Sequence, residues 1–128
     1  MNQIGHMING EMIADHDRTQ AVFNPATGQV ASHVSLASVE TTESAISAAQ
    51  AAFPGWRNTP PAKRAQVMFR FKQLLEQHAE EICALITDEH GKVTPDAMGE
   101  LARGIEVVDY ACGITELLKG EHSKNVGP

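Results

Sequence analysis

The order of residue patterns predicts an α+β chain, an N-terminal antiparallel β ribbon followed by four helices. Three observations carry that expectation. Alternating apolar and polar residues, punctuated by Asn9-Gly10 and by Asn24-Pro25-Ala26-Thr27-Gly28, fill the first 37 positions. From Ser38 onward the apolar residues return at steps of three and four, the helical period. Prolines then fall near helix starts and glycines near helix ends, which is where each is tolerated.

In the ribbon, Met7-Ile8 and Met12-Ile13 flank Asn9-Gly10, two residues that accept positive φ and so favour a tight hairpin. Asp15-His16-Asp17-Arg18 reads as a polar loop. Thr19 to Phe23 has strand composition, and Gln29 to Leu36 alternates, with Ser32 interrupting its apolar side. The ribbon therefore spans 1–37.

The helices occupy 38–120. Ser38 caps the first, whose face of Ala45, Ile46, Ala49, Ala52 and Phe53 is small enough for close approach by another element, and Pro54-Gly55 is expected to end it. Thr59-Pro60-Pro61 opens the second, with Ala65, Met68, Phe69, Lys72 and Leu75 inward and Arg64 outward. A break is placed at Gln77-His78. Ala79 to His90 forms the third, with Ile82, Cys83, Leu85 and Ile86 inward, and Gly91 stops it.

The fourth helix, Thr94 to Gly120, is the one the others are laid against. Met98, Leu101, Ile105, Val108, Cys112 and Thr115 form its stripe, which Ala97, Ala102, Ala111 and Leu118 widen; Thr94 is its expected cap, and Gly120 its left-handed stop. Gly99, Gly104 and Gly113 lie inside it and weaken it by about 1 kcal/mol each, so another group is expected to press on its backbone. Arg103 projects from the polar side, flanked by Glu100 and Glu106. Periodicity favours a surface ion pair, and the alternative is a guanidinium waiting for a carboxylate it can grip bidentately.

Composition excludes several function classes. The net charge of −6 over 128 residues provides no basic face for nucleic acid or an anionic membrane, and no apolar run approaches a membrane span. With no signal-peptide pattern at the start, the cytoplasm is the expected location. Cys83 and Cys112 fall on apolar helical positions and read as core residues. The six histidines show no metal-ligand spacing, and no glycine-rich phosphate loop occurs. Residues 121–128 read as the start of a connecting segment, which marks the chain as an incomplete portion of something larger.

Three stretches resemble the N-terminal part of the aldehyde dehydrogenase superfamily: Phe23-Asn24-Pro25-Ala26-Thr27-Gly28, the run from Ala51 to Arg57, and Leu85 to Lys92. Gly99 to Val108, followed by Tyr110-Ala111-Cys112 and Leu117 to Glu121, is similar to one branch, the CoA-acylating methylmalonate-semialdehyde dehydrogenases. The resemblance implies an α/β fold of which this chain is a fragment of the NAD-binding domain. It implies an enzyme of semialdehyde, valine or inositol breakdown that uses NAD and coenzyme A on a small aldehyde and assembles as a homo-oligomer. The family's catalytic and cofactor-binding residues match nothing in these 128 residues, so no catalytic residue is assigned and neither cofactor is expected on this chain alone. Arg103 is carried over as the residue that holds the substrate carboxylate. A hydrolytic aldehyde dehydrogenase and a non-enzymatic α+β interaction module are the competing readings.

Overall fold

The computed structural model describes residues 2–122. Five strands precede five helices: β1 (Asn2–Ile4), β2 (His6–Ile8), β3 (Glu11–Ile13), β4 (Thr19–Phe23), β5 (Val30–Ser35), α1 (Val39–Asn58), α2 (Pro61–Gln77), α3 (Ala79–His90), α4 (Thr94–Cys112) and α5 (Ile114–Leu117). They form two compact units, residues 1–58 with 85–92 and residues 59–84 with 93–128. Helix α3 contributes to both.

In the first unit, β2 and β3 make the expected hairpin, pairing Met7 with Met12 across Asn9 (φ 52°) and Gly10 (φ 83°). Both turn residues are left-handed, which matches the twist of the strands they join. A separate sheet has the order β1-β5-β4, with β4 antiparallel to β5 and a bulge at Val22/Phe23. Strand β1 adds to β5 in parallel, so the ribbon is mixed rather than wholly antiparallel. Three residues carry too little periodicity to announce such a strand. Ser32 and Ser35 are the buried residues of β5, so the interruption in its apolar face points inward.

Helix α1 passes through Pro54-Gly55 and ends at Asn58, which corrects the expected stop. Proline removes one backbone donor, a tolerable loss in a helix none of whose residues is buried. Ser38 caps it as expected, its Oγ accepting from the Thr41 N–H at 3.1 Å. The alanine face does meet another element: Ala45, Ala48, Ala49 and Ala52 line a cleft of about 310 Å³ with Met7 and Ile8 of the hairpin.

In the second unit, α2 packs on α4. The break at 77–78 is present: His78 donates its N–H to Leu74 O and accepts from the Ile82 N–H, closing one helix and opening the next. Helix α4 begins with Thr94 already helical and Val93 at the cap, with Pro95 in the first turn. It stops at Gly113, and α5 is a separate turn, so five helices replace the expected four. Gly120 is left-handed (φ 66°) as expected. Of the expected connecting segment, 121–128, residues 123–128 lie outside the described residues.

The apolar side chains fully buried among the described residues are Ile8, Ala65, Cys83, Ala97 and Cys112. Apart from Ile8 they are small. Met98, Phe69 and Leu85, all assigned inward from the pattern, are 56%, 56% and 63% exposed, while Arg64 is half-buried rather than outward. Cys83 and Ala97, also assigned inward, are buried as expected.

Candidate functional site: the Arg103 face of helix α4

Helix α4 is held along two sides. Lys72 of α2 reaches across to Asp109, Nζ to Oδ1 2.7 Å, with Glu76 Oε1 at 3.9 Å. Asp109's carboxylate, accepting that hydrogen bond, holds the Lys72 ammonium above its usual pKa against the opposing effect of partial desolvation. On another side, Met98, Leu101, Ala102 and Ile105 form a shallow apolar groove with Ala79 and Cys83 of α3. Both cysteines are buried free thiols, so neither stands open to an incoming aldehyde.

Arg103 is exposed on α4. Side chains of a helix lean toward its N-terminus, and the Arg103 guanidinium accordingly lies over Gly99, one turn back. A Cβ built on Gly99 would sit 3.9 Å from Nη1. Gly104 has nothing within 4 Å of its Cβ position, and Gly113 is the helix cap. No foreign group therefore presses on the backbone at these glycines among the described residues. The neighbours are the chain's own: the Arg103 side chain at Gly99, and at Gly113 the Tyr110 carbonyl oxygen, 3.4 Å from the Cβ position.

A second polar cluster lies in the first unit, where the sequence showed only a loop. Asp15 Oδ2 accepts from the Ser38 N–H and Oδ1 from the Thr41 hydroxyl, both at 3.1 Å, placing a carboxylate at the N-terminus of α1. His6 Nε2 is 3.8 Å from the same carboxylate. Gln3 ties it to the sheet, its Nε2 donating to Asp15 O and Ser35 Oγ. The Ser38 N–H, then the Thr41 hydroxyl, then the nearby histidines hold the Asp15 pKa below its usual value against partial desolvation. Its partners lie 23 and 26 residues away, a separation that no local pattern reveals.

Residues 12–127 match the model of the aldehyde dehydrogenase family. The chain belongs to the aldehyde dehydrogenase family. It is 61% identical over all 128 residues to a malonate-semialdehyde dehydrogenase of Pseudomonas aeruginosa, and 42% identical over 122 residues to malonate-semialdehyde dehydrogenase 2 of Geobacillus thermodenitrificans. Among solved structures, methylmalonate-semialdehyde dehydrogenase from Oceanimonas doudoroffii superposes over the whole chain with a TM-score of 0.93 at 68% identity. A candidate methylmalonate-semialdehyde dehydrogenase from Sinorhizobium meliloti, solved with NAD, superposes with a TM-score of 0.92 at 40% identity. The chain spans 26% of the Pseudomonas relative and 26% of each of these two structures. The α+β arrangement is thus part of the aldehyde dehydrogenase fold.

Strand β5 runs into the N-terminus of α1, where the Asp15 carboxylate accepts the Ser38 N–H and Ser38 Oγ accepts the Thr41 N–H. No three His, Cys, Asp or Glu side chains gather to hold a metal among the described residues, and no described helix is long and apolar enough to cross a membrane.

Proposed function

We propose that this chain is the N-terminal portion of an NAD-dependent, CoA-acylating dehydrogenase of malonate or methylmalonate semialdehyde, and that Arg103 holds the substrate carboxylate. The 61% identity to a malonate-semialdehyde dehydrogenase, over the whole length of this chain, is the observation that carries this reading. The enzyme works in the cytoplasm as a homo-oligomer, in valine or inositol breakdown, and releases propionyl-CoA or acetyl-CoA. The exposed apolar side chains, among them Phe53, Trp56, Phe71 and Tyr110, pack against the other three quarters of such an enzyme.

Arg103 suits its role chemically. A guanidinium presents paired donors that match a carboxylate and stays charged at any working pH. Its contribution is to bind and orient a negatively charged aldehyde. On this reading the nucleophile and the cofactor contacts belong to other parts of the enzyme; burial of Cys83 and Cys112 supports this for the nucleophile.

The test is a hybrid enzyme, the Pseudomonas relative with its matching segment exchanged for these 128 residues. It is expected to form NADH from malonate semialdehyde only when CoA is present. Product formation independent of CoA would favour a hydrolytic enzyme. Changing Arg103 to Leu in the hybrid should lower kcat/KM for malonate semialdehyde by about 100-fold, the scale of a charged hydrogen-bonded pair losing one member. Propanal, which lacks the carboxylate, should be spared. Equal losses on both aldehydes would remove Arg103 from the substrate site.

A further inference from the structure

We infer that Gly99 is a positioning residue: by carrying no side chain it forms the shelf on which the Arg103 guanidinium rests. The inference rests on the carboxylate role proposed above for Arg103. Glycine is a poor choice for the interior of a helix, because it gives the unfolded chain extra freedom and packs nothing. At Gly99 the neighbouring group is the Arg103 side chain. Residues four apart share a helix face, and the side chain at 103 leans back over position 99. There its Nη1 comes 3.9 Å from the Cβ that glycine lacks. That distance is an ordinary contact, so a methyl group fits, but a branched side chain would take the volume the guanidinium now occupies. Gly104, adjacent to Arg103 in sequence, has open space instead and plays no such part. A displaced guanidinium keeps its charge and loses its aim. Since a misplacement of about 1 Å can cost about 100-fold in rate, position 99 governs selectivity for carboxylated aldehydes without touching them.

The hybrid enzyme tests this with Gly99→Ala, Gly99→Val and Arg103→Leu, each measured on malonate semialdehyde and on propanal. Gly99→Ala should keep the ratio of the two kcat/KM values within about twofold of the parent. Gly99→Val should lower that ratio by about 10-fold or more, through a raised KM for the carboxylated aldehyde. If the valine variant fails to fold, Gly99→Thr, branched at the same carbon, is read in its place. Equal losses on both aldehydes, or no change on either, would overturn the shelf. If Arg103→Leu is selective and the Gly99 variants are not, only the role of Gly99 falls. If Arg103→Leu is itself unselective, the carboxylate reading falls and takes the shelf with it.

Discussion

Pro25 and Gly91 touch, although 66 residues separate them: a Cβ on Gly91 would lie 3.0 Å from Pro25 Cγ and 3.3 Å from its Cβ. Each belongs to one of the stretches that resemble the family, so two of those stretches meet in space. Gly91 is also left-handed (φ 79°), donating its N–H to Thr87 O at 2.8 Å to end α3. Glycine is required there twice over, by conformation and by room. Gly28 is left-handed as well (φ 69°), but its Cβ position is open.

The two glycines should therefore separate on substitution. Gly28→Ala carries only the left-handed penalty, about 1–2 kcal/mol, whereas Gly91→Ala adds the crowding of Pro25, for about 2–4 kcal/mol in total. Thermal inactivation midpoints of the hybrid enzyme with each change would show it. Equal shifts would mean that Pro25 yields without resistance.

Asp15 predicts an acid-sensitive start to α1. Its folded pKa is depressed, by the Ser38 N–H first and the Thr41 hydroxyl second. A depressed carboxylate stabilises the fold above its unfolded value, near 3.8, and that stabilisation is lost as pH falls through the lower folded value. Amide exchange at Thr41 and Thr42 in the hybrid should accelerate as pH drops below about 4, beyond the intrinsic trend. In Asp15→Asn the protection should already be reduced at neutral pH and lose its acid dependence. Unchanged protection in that variant would show the cap to be carried by Ser38 alone.

What could be read in advance follows from how local each determinant is. Asn9-Gly10, Gly91 and Gly120 have left-handed backbones that their residue types announce. The stripe of α4 is legible in period and phase: Ala97 and Cys112 are buried and Leu101, Ile105 and Val108 half-buried, and Met98 at its edge is the member that packing leaves exposed. Pro54 misled because its cost in a helix is finite and α1 absorbs it. Asp15 was opaque, its partners being distant in sequence. Arg103 stands out in the sequence as an oddity, and its step of four from Gly99 is written there. The guanidinium's position over that glycine needed coordinates.

The link from Lys72 to Asp109 gives the alkaline counterpart. Its hydrogen bond raises the folded pKa of Lys72, with Asp109 and Glu76 charges adding to it. A raised lysine stabilises the fold fully below its ordinary value of 10.5, and the contribution is lost as pH climbs through the higher folded value. Acylating reagents attack only the neutral amine, so at about pH 9 Lys72 should be labelled more slowly than exposed Lys63 on the same helix. Partial burial would slow it too, and Asp109→Asn separates the causes. If the ion pair holds the proton, that change speeds labelling of Lys72 severalfold and leaves Lys63 alone. If only burial shields the amine, Lys72 reacts at its parent rate, and the bond between α2 and α4 is an incidental surface pairing.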